Sequence, residues 1–191
     1  MPRLLSLACA VITASLATPT LAHAQDVLLT REQALREIFP EVARTTVERK
    51  PLDTPTRQQL ARQLGRPIYE DAVDVTRVYD RAGTFRGYAV VTEEIGKYRP
   101  ITFMVGVSPE FEVRDVAVMV YRESRGGDVK RKRFLSQYRG KTVRDPIDSN
   151  RDIINISGAT ISVRSMNAGV KRVLAELTLL YAGRATAAAP P

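Results

Sequence analysis

Three hydroxyl side chains surround a Gly-Ala step in the segment Ser157-Gly158-Ala159-Thr160-Ile161-Ser162. A long apolar stripe follows, which places this segment at the start of a helix. Small residues let a ligand approach the backbone closely, and the free N–H groups and positive dipole end of a helix favour a phosphate. The pattern indicates an anion site formed by Ser157, Gly158, Ala159, Thr160 and Ser162. The same residues also fit an ordinary helix start in which Thr160 or Ser162 caps the first turn.

Other reactive side chains are scarce. Cys9 is the single cysteine and His23 the single histidine, and both lie in the first 24 residues. Those residues read as a leader, so the mature chain has no Cys, His or Trp. This excludes a Ser-His-Asp triad, a Cys nucleophile, a Cys/His zinc site, haem ligation by His and any disulfide. No catalytic residue and no metal ligand is predicted, so redox chemistry would require a bound cofactor.

Residues 1–24 have the pattern of a signal peptide. Arg3 precedes the uncharged run Leu4–Leu16, and Ala22-His23-Ala24 is a cleavage signal ahead of Gln25. We therefore expect an exported, periplasmic protein. Because Leu4 to Gln25 carries no charge, an uncleaved N-terminal membrane anchor is the alternative.

The chain is basic, with 29 Lys+Arg against 21 Asp+Glu and a net charge of +8, which falls to +7 when Arg3 leaves with the leader. Because export is expected, no nucleic-acid partner is predicted. The densest basic run, Lys130–Arg133, reads as a solvated helix face. The alternative is a docking patch for an acidic partner on a basic adaptor without a cofactor.

The elements that position the hydroxyl segment follow from periodicity. An N-terminal helical segment, 26–72, contains a helix over Thr30–Phe39 with Gln33 completing a capping box, and a second helix over Thr56–Leu64. A first strand is predicted to begin at Val73, and further strands are predicted over Phe85–Thr92, Ile101–Val107 and Phe111–Tyr121. The last of these is almost continuously apolar, which is typical of a strand covered on both faces.

A helix is expected from Asp128 through Tyr138, and the most convincing helix runs over Ile161–Tyr181. The predicted fold class is α+β, an antiparallel sheet packed against helices. The sheet of Val73–Tyr121 is covered by the last helix, and the N-terminal segment packs on the same core. The domain is placed at 73–182, and the tail 183–191 is low in complexity and expected to be disordered.

Ser157-Gly158-Ala159-Thr160, followed by Ile161-Ser162, resembles the flavin attachment motif of the FMN-binding domain family. This family includes the flavin-carrying subunits of sodium-pumping NADH:quinone reductase and of its ferredoxin-linked relative. Upstream, Tyr98–Ile101 and Phe103–Val107 are similar to the family's strand pair, and Glu123–Gly127 to its Glu- and Gly-containing loop. The resemblance covers roughly Asp74 to Tyr181.

The resemblance implies an FMN-binding-domain-like fold in which Thr160 carries FMN through a phosphoester bond made by a flavin transferase. It also brings Glu123 and Gly127 near the ring or the phosphate. The function it implies is an exported electron-transfer carrier, rather than an enzyme with its own small substrate. The expected partners are FMN, the transferase, and a redox protein or membrane electron-transfer complex.

The chain departs from the family at Ile154, where the family has an acid three residues before the motif. Asp152 lies two residues earlier. This departure favours the alternative function, a ligand-binding or sensory module of the same fold without electron shuttling.

Overall fold

The computed structural model describes residues 26–182. The predicted signal peptide 1–24 and the tail 183–191 lie outside the described residues. The strands are β1 Asp26–Val27, β2 Arg44–Pro51, β3 Ala72–Tyr79, β4 Phe85–Ile95, β5 Pro100–Val107 and β6 Val113–Tyr121. The helices are α1 Arg31–Ile38, α2 Thr54–Leu64, α3 Lys132–Leu135 and α4 Thr160–Leu177, the last continuing as a π-turn over Thr178–Ala182.

The six strands form one antiparallel sheet in the order β1-β6-β5-β4-β3-β2. The predicted α+β class and the strands from Val73 to Tyr121 are confirmed. Alternation along β5 separates two apolar faces: Phe103 and Val105 pack with α4, whereas Met104 packs with α1.

The second apolar face corrects one prediction. The N-terminal segment is divided between the two sides of the sheet. Leu52, Leu60 and Ile68 pack beside α4 against Ala175, as predicted. Helix α1 and the residue after it instead cover the opposite side through Ala34, Ile38 and Phe39. Gly106 of β5 is required there, since a Cβ would collide with the side chain of Ile38. The nearly continuous apolar run of β6 is thereby buried on both faces.

The N-terminal segment 26–72 is also less helical than predicted, because it contains β2, an edge strand paired with β3. The capping box of α1 is confirmed: the Thr30 hydroxyl accepts from the Gln33 N–H at 3.2 Å, and the Gln33 side chain accepts from the Thr30 N–H at 2.8 Å.

The helix predicted from Asp128 to Tyr138 is wrong. Two 3₁₀ turns, Gly127–Lys130 and Ser136–Tyr138, flank the single turn of α3. Arg131 is extended, with φ −73° and ψ 136°, and interrupts the segment. The five-residue step from Val129 to Phe134 does not fit one helical face, yet both side chains are buried.

No helix within residues 26–182 has the length and apolar composition needed to cross a bilayer.

Candidate functional site

Helix α4 begins without a side-chain cap. Its N-cap is Ala159, with φ −122° and ψ 15°, and no side chain accepts a hydrogen bond from the first turn. The alternative in which Thr160 or Ser162 caps the helix is therefore wrong. The amide groups that a helix start leaves unpaired and the positive dipole end remain directed at whatever lies before the helix.

The Thr160 hydroxyl is held in place at the first position of α4. It is half-buried, and its oxygen accepts a hydrogen bond from the Asn155 side-chain amide at 3.1 Å. The Asn155 carbonyl oxygen in turn accepts from the Ile156 N–H at 3.0 Å. Because Asn155 uses only one lone pair of the hydroxyl, the Thr160 O–H proton and a second lone pair stay available.

A cleft of about 510 Å³ opens in front of this helix start. This volume lies within the range of about 300–1,000 Å³ typical of small-molecule sites. The cleft is lined by Lys97, Tyr98, Glu123, Ser124, Arg125, Gly158, Ala159, Thr160, Ile161 and Ser162.

The floor beside Ser162 is formed by the end of β6. Tyr121 donates its hydroxyl proton to the carbonyl of Arg125 at 2.6 Å, so Ser162, 3.3 Å away, is the donor to the Tyr121 oxygen. Burial raises the pKa of Tyr121. Gly126 has φ +78°, and a Cβ there would lie 3.0 Å from the Tyr121 hydroxyl and 3.1 Å from Ser162 Oγ. Glycine therefore lets the loop after β6 pack closely against Tyr121 and Ser162.

Residues 96–175 match the model of the FMN-binding domain family. This part of the chain is similar to an FMN-binding domain. The predicted resemblance is thus confirmed, and the matched range contains every residue that lines the cleft.

Among solved structures, the chain is similar to NqrC of Shewanella oneidensis, with a TM-score of 0.56 and 17% identity over 80% of this chain and 88% of that chain. A second similar structure comes from the Na⁺-translocating NADH-quinone reductase of Parabacteroides distasonis, with a TM-score of 0.47 and 13% identity over 72% of this chain and 76% of that chain. No curated protein matches the chain. At 17% identity, the first likeness shows the fold.

The fold brings together five of the seven residues predicted for the site. Glu123, Gly158, Ala159, Thr160 and Ser162 line the cleft. Ser157 and Gly127 do not. Ser157 is exposed ahead of the helix, and a Cβ on Gly127 would meet only the Lys130 side chain. Of the glycine pair, Gly126 is the residue that packs closely against Tyr121 and Ser162.

Glu123 supports the wall of the cleft. Its Oε1 accepts hydrogen bonds from the N–H groups of Tyr98 at 2.5 Å and Arg99 at 2.9 Å. A Cβ on Gly96 would lie 2.6 Å from the same oxygen. The carboxylate therefore fastens the turn between β4 and β5 to the end of β6, and this turn supplies Lys97 and Tyr98 to the cleft.

Several site residues were not predicted from the sequence, among them Lys97, Arg125 and Asn155. Lys97 and Arg125 are the two cations that line the cleft, and neither forms an ion pair within residues 26–182. They come from two different turns, which only the sheet brings together. Asn155 could have been found from the sequence, because its side-chain amide lies five residues before Thr160 and can reach the hydroxyl.

Asp152 is occupied within the loop that leads to Thr160. Its carboxylate accepts from the N–H groups of Ile147 at 3.1 Å and Asp148 at 2.9 Å, and it pairs with Lys141 Nζ at 2.9 Å. Burial acts to raise the pKa of Asp152, but these N–H groups and the ammonium outweigh it, so the pKa lies below its usual value. Ile154, by contrast, is exposed.

The basic run Lys130–Arg133 has few free charges. Arg131 pairs with Asp128 at 2.7 Å, and Lys132 pairs with Glu37 at 3.2 Å. Lys130 Nζ lies 5.0 Å from the centre of the Tyr121 ring. Three of the four cations therefore already have contacts within the protein. This argues against the alternative in which the run is a docking patch of a basic adaptor.

Proposed function

We propose that this protein is an exported FMN-binding electron-transfer carrier in which FMN is attached to Thr160 through a phosphoester bond. The observation that carries this proposal is the place of the Thr160 hydroxyl. It lies half-buried at the uncapped start of α4, at a cleft of about 510 Å³, inside the residues that match an FMN-binding domain.

The residues present fit the phosphate and ribityl end of FMN. The first-turn N–H groups of α4 favour an anion, and the side chains of Lys97 and Arg125 supply positive charge within the cleft. Asn155 holds the Thr160 oxygen so that its position does not depend on a ligand. Gly126 lets the loop that carries Arg125 pack closely against the cleft floor at Tyr121 and Ser162. When bound, FMN supplies one- and two-electron transfer.

A covalent link suits a protein outside the cytoplasm. Attachment makes the holding of the cofactor intramolecular, so it no longer depends on free FMN in the surroundings. A flavin transferase would make the bond, and a redox protein or a membrane electron-transfer complex would accept or supply electrons. The periplasm is the proposed compartment, with an uncleaved N-terminal anchor as the alternative.

Intact mass after coexpression with a flavin transferase tests the attachment. The wild type should gain the mass of FMN less one water, Thr160→Ala should stay at the unmodified mass, and Thr160→Ser should keep a hydroxyl that can be modified. Ser157→Ala is the matched control, because it removes an exposed hydroxyl of the same motif outside the cleft. A wild type that stays unmodified with transferase and FMN present contradicts covalent attachment.

One observation favours the second candidate, a ligand-binding or sensory module without electron shuttling. The position where the family has an acid holds the exposed Ile154, and the contacts of Asp152 leave it no freedom to substitute. If this acid guides the transferase, Ile154→Asp should raise the yield of modified protein several-fold. Flavin absorbance that bleaches with reductant and recovers with an acceptor protein would argue against the sensory module.

A further inference from the structure

Four exposed apolar side chains lie at the cleft or next to residues of the site. These four residues, here called the rim, are Ile95, Tyr98, Ile154 and Ile161, with exposed fractions of 66%, 74%, 76% and 44%. They are half of the eight large hydrophobic side chains exposed within residues 26–182. A concentration of exposed apolar surface at one place marks a site that another molecule covers.

A ligand in the cleft does not account for the whole rim. Tyr98 and Ile161 line the cleft, but Ile95 and Ile154 do not. The backbone of Ile95 lies beside that of Ile161, because the Ser165 hydroxyl oxygen is 2.5 Å from the Ile95 carbonyl oxygen and 3.0 Å from the Ile161 carbonyl oxygen. A bound cofactor would leave the Ile95 side chain in water.

Ile154 is fixed next to the attachment residue. It directly precedes Asn155, whose amide donates to the Thr160 hydroxyl, and its own N–H donates to the Gln137 side chain at 2.7 Å. This backbone contact fixes the segment while leaving the Ile154 side chain outside. Its exposure is therefore a property of the folded surface, and a partner larger than the cofactor is needed to cover it.

Unpaired positive charge accompanies the rim. Arg99 follows Tyr98 in the same turn, and Arg164 lies three residues after Ile161, on a neighbouring position of α4. Both are exposed, neither lines the cleft, and neither forms an ion pair within the described part of the chain.

The carboxylates near the rim already have partners. Glu93 accepts from the Thr102 hydroxyl at 2.7 Å, Glu94 is paired with Arg66 at 2.5 Å, and Glu123 accepts two backbone N–H groups. Within the described residues, none of these carboxylates forms an ion pair with Arg99 or Arg164. A partner that covers the rim gains most if its own face is acidic.

We infer that the rim, with Arg99 and Arg164 beside it, is the docking surface for a protein partner with an acidic edge and an apolar centre. This inference rests on the proposed function, since a partner seated here would face a cofactor held at Thr160. A protein fits better than an anionic membrane surface, because an apolar centre within a charged border is the ordinary anatomy of a protein–protein interface.

Binding of an acidic c-type cytochrome, followed by calorimetry at low and moderate salt, tests the inference. A basic c-type cytochrome is the charge-reversed probe and should not bind. Reversing the cations in Arg99→Glu/Arg164→Glu should weaken binding of the acidic cytochrome by about tenfold. The matched control is Arg62→Glu/Arg81→Glu, which changes the net charge equally at two exposed arginines outside the rim.

The apolar part has its own control. Ile95→Thr/Ile154→Thr should weaken binding severalfold, whereas Val47→Thr, an exposed apolar residue on the edge strand β2, should leave it unchanged. Each substitution keeps a β-branched side chain, so folding is little disturbed.

The same measurements on Thr160→Ala separate docking from flavin attachment. The rim effects should persist there, even if the intact-mass experiment rejects the covalent link. The inference is overturned if the Arg99/Arg164 reversal and the control reversal weaken binding equally, or if Thr160→Ala alone abolishes binding. It is also overturned if the acidic cytochrome does not bind, whether or not phosphatidylglycerol vesicles do.

Discussion

Glu176 is a buried carboxyl group whose charge should change near neutral pH. It lies in α4 with 3% of its surface exposed. Burial raises its pKa from 4.5 to about 7. The nearby carboxylates of Glu70 and Glu94 also raise this pKa, whereas the cations of Arg172 and Arg66 lower it. Burial therefore outweighs the two cations.

The sign of the pH dependence follows from this raised pKa. Between pH 4.5 and about 7, the folded chain holds a proton on Glu176 that the unfolded chain has released. The stabilisation from this group is complete below the unfolded pKa and is lost as the pH rises through the folded pKa. At 1.36 kcal/mol per pKa unit, the total loss is about 3 kcal/mol.

Glu176→Gln should remove this dependence, because the amide is neutral at every pH. Relative to the wild type, the variant should gain about 2 kcal/mol in unfolding free energy between about pH 5.5 and 7.5. Urea denaturation followed by far-UV circular dichroism measures it, since the chain has no Trp. Glu110→Gln, on an exposed turn, is the matched control.

A difference between variant and wild type that stays flat over this range would refute the reasoning. A variant that loses relative stability as the pH rises would show that the paired arginines, and not burial, decide the charge of Glu176.

Three further substitutions test the site and its support. Gly126→Ala should lower the free energy of unfolding, measured by urea denaturation, by about 1–2 kcal/mol more than Gly140→Ala does. Both glycines have positive φ, but only at Gly126 would a Cβ meet neighbouring atoms. Equal losses would mean that Gly126 is not closely packed. Glu123→Ala should speed hydrogen exchange in the β4–β5 turn, which loses its acceptor; unchanged exchange would remove the proposed clamp. Tyr138→Phe should cost about 1–3 kcal/mol, since it leaves the buried Asn167 carbonyl without its donor, and a neutral result in the same denaturation assay would count against that bond.

Much of the fold is readable from the sequence because burial imposes periodicity. The strands from Val73 to Tyr121 and helix α4 show it clearly. Strand β2 does not, because it is an edge strand whose residues are mostly exposed on both sides. Its polar sequence, Arg44–Pro51, therefore carries no alternation, and only the pairing with β3 makes it a strand.

The site was predictable only where it is local in sequence. The small residues before Thr160 identify the helix start without any tertiary information. The opposite wall was not predictable, because Lys97 reaches the cleft through a turn that Glu123 fastens from another strand. Glu123 itself was singled out for a contact with the ligand, but two of its hydrogen bonds go to backbone N–H groups. The residue type of Glu123 and its place in the sequence suggested contact with the ligand. The structure shows that its carboxylate supports the turn between β4 and β5.

The start of α4 is tied to the ends of two strands, and this explains why a hydroxyl there can be positioned accurately. Ser165 donates to the carbonyl at the end of β4, and Ser162 donates to Tyr121 at the end of β6. Both serines lie on the turns that follow Thr160, so the helix cannot slide or rotate without breaking a partly buried hydrogen bond. Substitution of Ser162 or Ser165 should therefore disturb the cleft through the helix position, whereas substitution of Thr160 removes the anchor and leaves the helix in place.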